Sequence, residues 1–468
     1  MDLTALTVGE AAAALRRGEM GAADYADALL AQAARGASLN AFIHHDAEAV
    51  RAAAAAADAR RARGDALGAL HGVPLALKDN LDTADMPTTG GTPALRGHRP
   101  KRNAPVVQRL LDAGAIVFGK ANLHELAYGI TNHNAAFGAA RNPYDPSRIP
   151  GGSSGGVGVA VGARMVPAGI GSDTGGSVRI PAALCGIVGF RPTTGRWSQQ
   201  GIVPISHTRD TAGPMARSVA DCALLDAVVT GSAAAPPASL KGLRLGVPRA
   251  HFWTNVDAET ARLLEATLLR LRDAGAVLVE GDIADVTRLD FDAGFPIALY
   301  ETVTDLDAYL GGHGSTLRYR ELVAQCASPD VAGLLQSLHG EGAVPEAGYR
   351  HALDVLRPQL QAAFRDHFAR HDVAAIVFPT TPLPAAPIGD DETVLLNGER
   401  VPTFPTFIRN SGPGSVAGIP GISVPAATTA GGLPLGLELD APAGSDARLL
   451  AIAAAVEAVL PKPAAPRL

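Results

Sequence analysis

Short apolar runs alternate with amphipathic segments along most of the chain, and this pattern predicts an α/β fold. Residues 1–65 are predicted to be helical, because Thr7 and Glu10 form a capping-box pattern and the segments that follow are rich in alanine. From Leu70 to Ser218 the pattern predicts strands at Val73–Leu77, Ala115–Phe118 and Met165–Ile170, and helices at Pro105–Ala113 and Ser218–Val229.

The second half of the chain continues this alternation less regularly. Residues 231–242 indicate a loop, and residues 285–370 carry the weakest pattern, with helices expected around Glu321–Leu338 and Val355–Arg370. The remaining predicted elements are strands at Leu243–Val247, Val277–Val279, Ala374–Phe378, Gly418–Pro425 and Leu433–Leu439, and helices at Ala258–Ala274 and Ser445–Leu460. The sequence shows no internal repeat and therefore predicts one domain over 1–468, with a sheet built from both ends of the chain.

Composition narrows the functional classes. The 468 residues carry a net charge of −6 and show no concentrated basic face, so no nucleic-acid partner is expected. Three cysteines, Cys185, Cys222 and Cys326, are too few and too scattered for a disulfide framework or a zinc site, and they fit a reducing compartment. Neither a signal peptide nor a membrane-spanning run is recognisable, so we expect a soluble cytoplasmic protein.

The motifs also indicate that no cofactor or metal is used. The chain contains no G-x-x-x-x-G-K-[ST] loop for nucleotide phosphates, and no G-x-G-x-x-G follows a predicted strand. His124 and Glu125 begin an H-E-x-x-H zinc motif, but its last position is Tyr128. We therefore expect a structural or substrate-loop role for this pair.

The stretch Gly151–Pro181 carries the strongest chemical signal in the chain. Ser153 and Ser154 lie between two glycine pairs, and Ser177 follows another. Glycine lets backbone N–H groups approach a ligand closely, so each serine has potential amide donors beside it. Acyl transfer needs this combination of a hydroxyl nucleophile and donors for the oxyanion. A flexible Gly/Ser linker is the alternative, but it does not explain the apolar run Val157–Ile170 between the loops.

A lysine upstream completes a recognisable set. Lys78 lies at the end of the predicted strand Val73–Leu77, where a lysine is usually paired or reaches out to solvent. Together with the two serine loops, however, it resembles the Ser–cis-Ser–Lys triad of the amidase signature family. The family's lysine falls on Lys78, its bridging serine on Ser153 and its nucleophile on Ser177, with the serines 24 positions apart (177 − 153). The positions that carry the resemblance are concentrated between about Leu70 and Ser218, and the resemblance is weaker towards the C-terminus.

The resemblance implies the fold of that family, a single large α/β domain with a central mixed β-sheet covered by helices. N-terminal helices would occupy 1–65 and the catalytic core 66–230. A variable, substrate-facing region would occupy 231–370, and the strands and helix that complete the core would occupy 371–468.

The resemblance also implies a serine acyl-enzyme mechanism. Ser177 would attack the amide carbonyl, and Ser153 would pass the proton to a neutral Lys78. The ordinary pKa of a lysine, about 10.4, would have to fall by roughly three pH units, which burial can cause. The backbone amides of Thr174, Gly175, Gly176 and Ser177 would form the oxyanion hole, and Ser154, Asp173 and Arg179 would support the loops.

Four further segments resemble the branch of the family that contains indoleacetamide and mandelamide hydrolases: Leu39–His44, Tyr300–Thr302, Asn397–Phe404 and Arg409–Ser415. This implies hydrolysis of a small primary amide of an arylacetic type, such as indole-3-acetamide or mandelamide, to the acid and ammonia. An apolar pocket would bind the aromatic group. Its expected lining is Tyr128, Gly129, Ile130, Trp197, Phe404 and Phe407. A homodimer is compatible with the sequence.

Two other interpretations stay open at this point. Residues 152–156 also fit G-x-S-x-G, the nucleophile elbow of α/β-hydrolase esterases, with Ser154 as nucleophile. That motif needs a strand directly before it, whereas residues 141–150 are rich in proline. An amidotransferase A-type subunit that acts on misacylated tRNA would share the triad, but the acidic chain offers no basic face for RNA.

Overall fold

Strands and helices alternate through the computed structural model, which describes residues 2–468. The strands of these residues are β1 (Phe42–His44), β2 (Pro74–Lys78), β3 (Ile116–Ala121), β4 (Ala168–Asp173), β5 (Val188–Arg191), β6 (Thr211–Ala216), β7 (Arg244–Val247), β8 (Val277–Glu280), β9 (Ala375–Pro379), β10 (Thr393–Leu396), β11 (Glu399–Pro402), β12 (Gly421–Thr428) and β13 (Pro434–Asp440).

The helices cover the sheet and fill the long segment between β8 and β9. They are α1 (Val8–Arg17), α2 (Ala22–Arg35), α3 (Ala47–Ala62), α4 (Pro105–Asp112), α5 (Gly155–Gly162), α6 (Arg179–Leu184), α7 (Val219–Thr230), α8 (Arg249–Phe252), α9 (Ala258–Asp273), α10 (Val286–Gly312), α11 (Tyr319–Val323), α12 (Pro329–Ser337), α13 (Glu346–His351), α14 (Arg357–His371), α15 (Thr403–Ile408), α16 (Gly412–Ala417) and α17 (Asp446–Glu457). Within residues 2–468, no helix combines the length and apolar character needed to cross a membrane.

One mixed sheet of 11 strands organises the molecule, in the order β1-β3-β2-β4-β6-β5-β12-β13-β9-β7-β8. Strand β2 runs parallel to both β3 and β4, and β7 runs parallel to β8 and β9. The other neighbours in the sheet are antiparallel. The prediction of a single α/β domain with a central mixed sheet is therefore confirmed.

Local signals in the sequence account for many of the elements. The hydroxyl of Thr7 accepts from the amide of Glu10, whose carboxylate accepts from the amide of Thr7, so the predicted capping box starts α1. Ser218 caps α7 in the same manner by accepting from the amide of Asp221. All residues of β2, β4 and β9 are buried, as expected for short, continuous apolar runs.

The structure differs from the sequence-based prediction where periodicity is weak. Helix α10 is 27 residues long and contains Pro296, although its segment showed little pattern. The apolar run Val157–Ile170 divides between α5 and the start of β4, because residues 163–167 turn the chain. Strands β1, β5 and β6 and the hairpin β10–β11 were not predicted.

The parallel strands bring chemically important residues to one edge of the sheet. Because β2 and β4 run in the same direction, their carboxyl ends meet there. Lys78 is the last residue of β2, and Ser172 and Asp173 end β4. The loops that follow both strands continue from this edge.

A buried arginine ties this edge to the C-terminal part of the sheet. Arg179, at the start of α6, is inaccessible to solvent and lies 3.1 Å from a carboxylate oxygen of Asp173. Its guanidinium also contacts Glu438 of β13 and donates to the hydroxyl of Ser415 at 2.6 Å. The predicted pair of Asp173 and Arg179 is thus present, and it belongs to a larger network that joins α6, α16 and β13.

Replacing Arg179 with methionine should lower the free energy of unfolding by about 3–5 kcal/mol, because Glu438 would lose the guanidinium that it contacts and Asp173 would keep only Arg191 of its two buried cations. Urea denaturation followed by circular dichroism measures this change. Arg288 offers a matched control, since its pairs with Asp285 and Asp292 are exposed. The Arg288→Met variant should change the free energy by less than about 1 kcal/mol. If Arg179→Met lowered the free energy of unfolding as little as the control substitution does, the network would not be needed for stability.

Candidate active site

Lys78 lies in the interior of the protein, where its Nζ atom contacts two serine hydroxyls. Nζ is 2.8 Å from Oγ of Ser153 and 2.9 Å from Oγ of Ser172, and the lysine is inaccessible to solvent. The amide of Asn80 also donates to Oγ of Ser172, at 3.0 Å. This environment contains hydroxyl partners for the amine but no carboxylate in direct contact among residues 2–468.

The electrostatic environment makes this lysine unusually acidic. Burial lowers the pKa of Lys78 from 10.5 to about 7, and the charges of Asp173 and Asp210 oppose the change only in part. The influence of Asp173 is limited because Arg179 and Arg191 both lie against its carboxylate. Against the opposing effect of burial, these two guanidinium groups hold the pKa of Asp173 below its usual range. A large fraction of Lys78 is therefore neutral near pH 7.

Ser153, the hydroxyl partner of Lys78, belongs to the first Gly/Ser loop, which contacts the second loop through the next residue. The peptide bond between Gly152 and Ser153 is cis, as the resemblance implied, and Ser153 is buried. The next residue, Ser154, donates its backbone N–H to the carbonyl of Ser177 at 3.2 Å. The two Gly/Ser loops are therefore in direct contact. Ser177 itself is partly accessible and lies on the wall of a cavity.

The loop that ends at Ser177 carries the four backbone amides predicted for the oxyanion hole, and one of them already has an acceptor. The N–H of Gly176 donates to Oδ1 of Asp173 at 2.8 Å, so it is not free to bind an oxyanion. Among the described residues, the N–H groups of Thr174, Gly175 and Ser177 have no acceptor. Gly176 has another function: its φ of 141° favours glycine, and a Cβ there would lie 2.1 Å from Oγ of Ser411.

The cavity beside Ser177 has a volume of about 320 Å³ and a largely apolar lining. Four of the predicted pocket residues contribute to its wall, namely Tyr128, Gly129, Ile130 and Phe404. Further apolar lining comes from residues that the sequence did not indicate: Ile205, Phe295, Ala298, Leu299, Leu334 and Ile408. Much of this additional wall belongs to α10 and α12.

Two predicted pocket residues lie elsewhere. Trp197 is buried in the main core, where its Nε1–H donates to Asp226 at 2.9 Å. Phe407 is buried in a smaller core cluster behind the cavity, in which Ile130 and Ile180 also pack. Neither aromatic residue lines the cavity, and both pack in the core as large buried side chains commonly do.

The pair His124 and Glu125 connects the cavity to α12. His124 lines the cavity, and its Nε2 lies 2.9 Å from Asp330 in the first turn of that helix. The Glu125 carboxylate accepts from the backbone amides of Ala327 and Ser328, at 3.1 and 2.7 Å. The pair thus fixes the start of α12, which agrees with a structural or substrate-loop role.

The nucleophile-elbow interpretation does not fit the structure. Residues 141–152 contain no strand, and Ser154 directly precedes α5. The Ser154 hydroxyl is buried and donates to the carbonyl of Ser172 at 3.2 Å, so it cannot reach the cavity. Ser154 is a supporting residue that packs β4 against the first loop.

Two groups of side chains within residues 2–468 have the spacing of metal ligands, namely Asp82 with His98 and His313, and His207 with Glu301 and Asp305. Neither group lies on the cavity wall. In the first, His313 contacts Asp82 at 2.9 Å and Tyr309 donates to the same carboxylate at 2.6 Å.

Comparisons with known proteins agree with this site. The family model described as Amidase matches residues 24–450. The chain is 45% identical to an indoleacetamide hydrolase of Agrobacterium vitis, covering 95% of this chain and 94% of the relative. It is 41% identical to a mandelamide hydrolase of Pseudomonas putida, over 97% and 91% of the two chains.

Solved structures agree as well. The crystal structure of an amidase superposes with a TM-score of 0.88 at 34% identity, covering 97% of this chain and all (100%) of the other. A glutamyl-tRNA(Gln) amidotransferase subunit from Thermotoga maritima is less similar, with a TM-score of 0.68 at 28% identity over 86% and 88% of the chains. The predicted enzyme class, a hydrolase acting on amide C–N bonds, is confirmed. The chain belongs to the amidase signature family.

Proposed function

We propose that the protein hydrolyses primary amides of arylacetic acids to the acid and ammonia, using Ser177 as nucleophile, Ser153 as proton relay and Lys78 as base. This proposal rests mainly on the contact between Ser153 and Lys78, which is buried and largely neutral. Ser177 lies beside this pair on the wall of the apolar cavity. An ordinary structural lysine would remain charged and would need an anionic partner.

In the first half of the reaction, Oγ of Ser177 attacks the amide carbonyl carbon. Its proton passes to Ser153, which gives its own proton to Nζ of Lys78. The N–H groups of Thr174, Gly175 and Ser177 stabilise the negative oxygen of the tetrahedral intermediate. When the C–N bond breaks, the protonated lysine returns the proton through Ser153 to the leaving nitrogen, which departs as ammonia.

In the second half, water attacks the acyl-enzyme ester and the same relay accepts its proton. The second tetrahedral intermediate collapses, Oγ of Ser177 regains a proton from Ser153, and the carboxylic acid is released. The Ser177 hydroxyl makes no side-chain hydrogen bond within residues 2–468, so it is free to turn towards Ser153 when a substrate binds.

The arylacetic substrate class rests on the cavity and on the relatives. Tyr128, Phe295 and Phe404 supply aromatic wall, and Leu299 and Ile408 supply aliphatic wall. Such a lining gains free energy by covering an aromatic ring, whereas it gains little from a short aliphatic acyl group. The relatives named indoleacetamide hydrolase and mandelamide hydrolase match this chain over nearly their whole length.

Ammonia release from a panel of amides tests this proposal. We expect kcat/KM for indole-3-acetamide, mandelamide and phenylacetamide to exceed that for acetamide and malonamate by at least about 100-fold, given the apolar area that each aromatic group buries. Higher activity on the aliphatic amides would overturn the substrate assignment.

The nucleophile is tested in the same assay. Ser177→Ala should lower kcat by at least about 10³-fold, because the relay has nothing to deprotonate. Ser198→Ala is the matched control, since Ser198 is exposed and lies outside the cavity wall, and it should retain wild-type activity. Undiminished turnover by Ser177→Ala would remove this serine from the mechanism.

A further inference from the structure

Three carboxylates line the cavity, and one of them differs from the others in lacking a partner. Asp330 lies 2.9 Å from His124, and Asp391 lies 2.7 Å from His133. No donor within residues 2–468 forms a hydrogen bond or an ion pair with the carboxyl group of Asp290, which is partly accessible from the cavity.

The carboxyl group of Asp290 lies close to Gly412 and Arg209 and forms a hydrogen bond with neither of them. Asp290 lies in the second turn of α10, and a Cβ added to Gly412 would approach one of its oxygens to 2.9 Å. The only nearby charge among the described residues that acts on its pKa is Arg209. Burial raises the pKa of Asp290 to about 7, and this guanidinium opposes the rise.

Both terminal nitrogens of Arg209 donate to carbonyl groups, whereas its buried Nε has no hydrogen-bond partner among residues 2–468. Its Nη1 donates to the carbonyl of Gly294 at 2.6 Å, and its Nη2 donates to the carbonyl of Thr174 at 3.1 Å. Gly294 lies one turn after Asp290 in α10, and Thr174 belongs to the loop that carries the free amides. Arg209 therefore fixes the distance between Asp290 and the oxyanion-binding loop without neutralising the carboxyl group by contact.

An acceptor that has no partner inside an apolar cavity discriminates between ligands. A ligand that brings a donor satisfies it, whereas an isosteric ligand without a donor leaves it desolvated and unpaired. Both the carboxylate and the protonated acid retain an oxygen that can accept, so this property does not depend on the charge of Asp290.

We propose that Asp290 determines specificity by accepting a hydrogen bond from a donor on the ring of the acyl group, such as the N–H of an indole. This inference rests on the proposed function and adds to it, because hydrolysis of arylacetamides by Ser177 does not require such a donor. The amide end of the substrate lies at the Thr174–Ser177 loop, and the ring extends along the cavity towards α10.

The first test compares two substrates of similar size with the wild-type protein. Indole-3-acetamide carries a ring N–H, and naphthalene-1-acetamide replaces that part of the ring system with carbon. We expect kcat/KM for the indole substrate to be about 10- to 100-fold higher, the range for one hydrogen bond to a buried charged group. Equal values would overturn this inference while leaving the proposed function intact, and turnover of neither substrate would instead contradict the proposed function.

The second test uses substitutions at Asp290 with both substrates. The Asp290→Leu variant should no longer prefer indole-3-acetamide, because its kcat/KM for that substrate should fall. Its kcat/KM for naphthalene-1-acetamide should be at least as high as that of the wild-type protein. Asp290→Asn keeps an acceptor oxygen and should retain most of the preference. Asp292→Asn, on the exposed side of the same helix, is the matched control and should behave as wild type. An equal loss on both substrates in Asp290→Leu would assign Asp290 a structural role and overturn the inference.

Discussion

The complete burial of the Lys78 amine is the constraint on which the organisation of this site depends. In the folded protein its pKa falls from 10.5 to about 7, so that burial and the opposing carboxylate charges together disfavour the charged form by about 5 kcal/mol relative to water. The folded state tolerates an amine there because Ser153 and Ser172 provide uncharged partners at 2.8 and 2.9 Å. A carboxylate in direct contact would restore the ammonium and remove the base.

The arginine network can be understood from the same constraint. Asp173 lies one residue beyond Ser172, and its charge by itself would favour protonation of Lys78. Arg179 and Arg191 neutralise that carboxylate, which in turn binds the amides of Gly176 and Val178 and so shapes the loop before Ser177. One carboxylate therefore positions the nucleophile loop, while its two cations limit its effect on the base.

The sequence predicted the parts of this arrangement that have local signatures. Two glycine-flanked serine loops and a lysine after a short apolar run carried the family resemblance, and that resemblance assigned the triad to Lys78, Ser153 and Ser177. Ser172 was missed because a serine within a strand has no flanking pattern, and its role depends on the parallel register of β2 and β4. The family resemblance assigned the amide of Gly176 to the oxyanion hole, and nothing in the sequence shows that Asp173 folds back to accept the hydrogen of this amide.

The cavity wall was the least predictable part of the molecule for a similar reason. Helix α10 contains Pro296 and lines the cavity on one side while packing against α14 and α16 on others, so it lacks a simple apolar stripe. Aromatic residues that looked suitable for the pocket, such as Trp197, are needed in the core instead. Long-range packing, which single-sequence patterns do not encode, decides which residues face the substrate.

The pH dependence of the acylation rate tests the central claim about Lys78 most directly. A neutral base is required, so the rate should rise as the pH increases through about 7 and should then level off. Since the pKa of Asp290 is also raised to about 7, the measurement should include Asp290→Asn, together with His124→Gln to remove the imidazole from the cavity wall. We predict that both variants keep the midpoint near 7, whatever their absolute rates, and that Lys78→Arg is inactive from pH 5 to about pH 10 because arginine stays protonated. A midpoint that remains near 10, or one that disappears in either cavity variant, would contradict the assignment of Lys78 as the base.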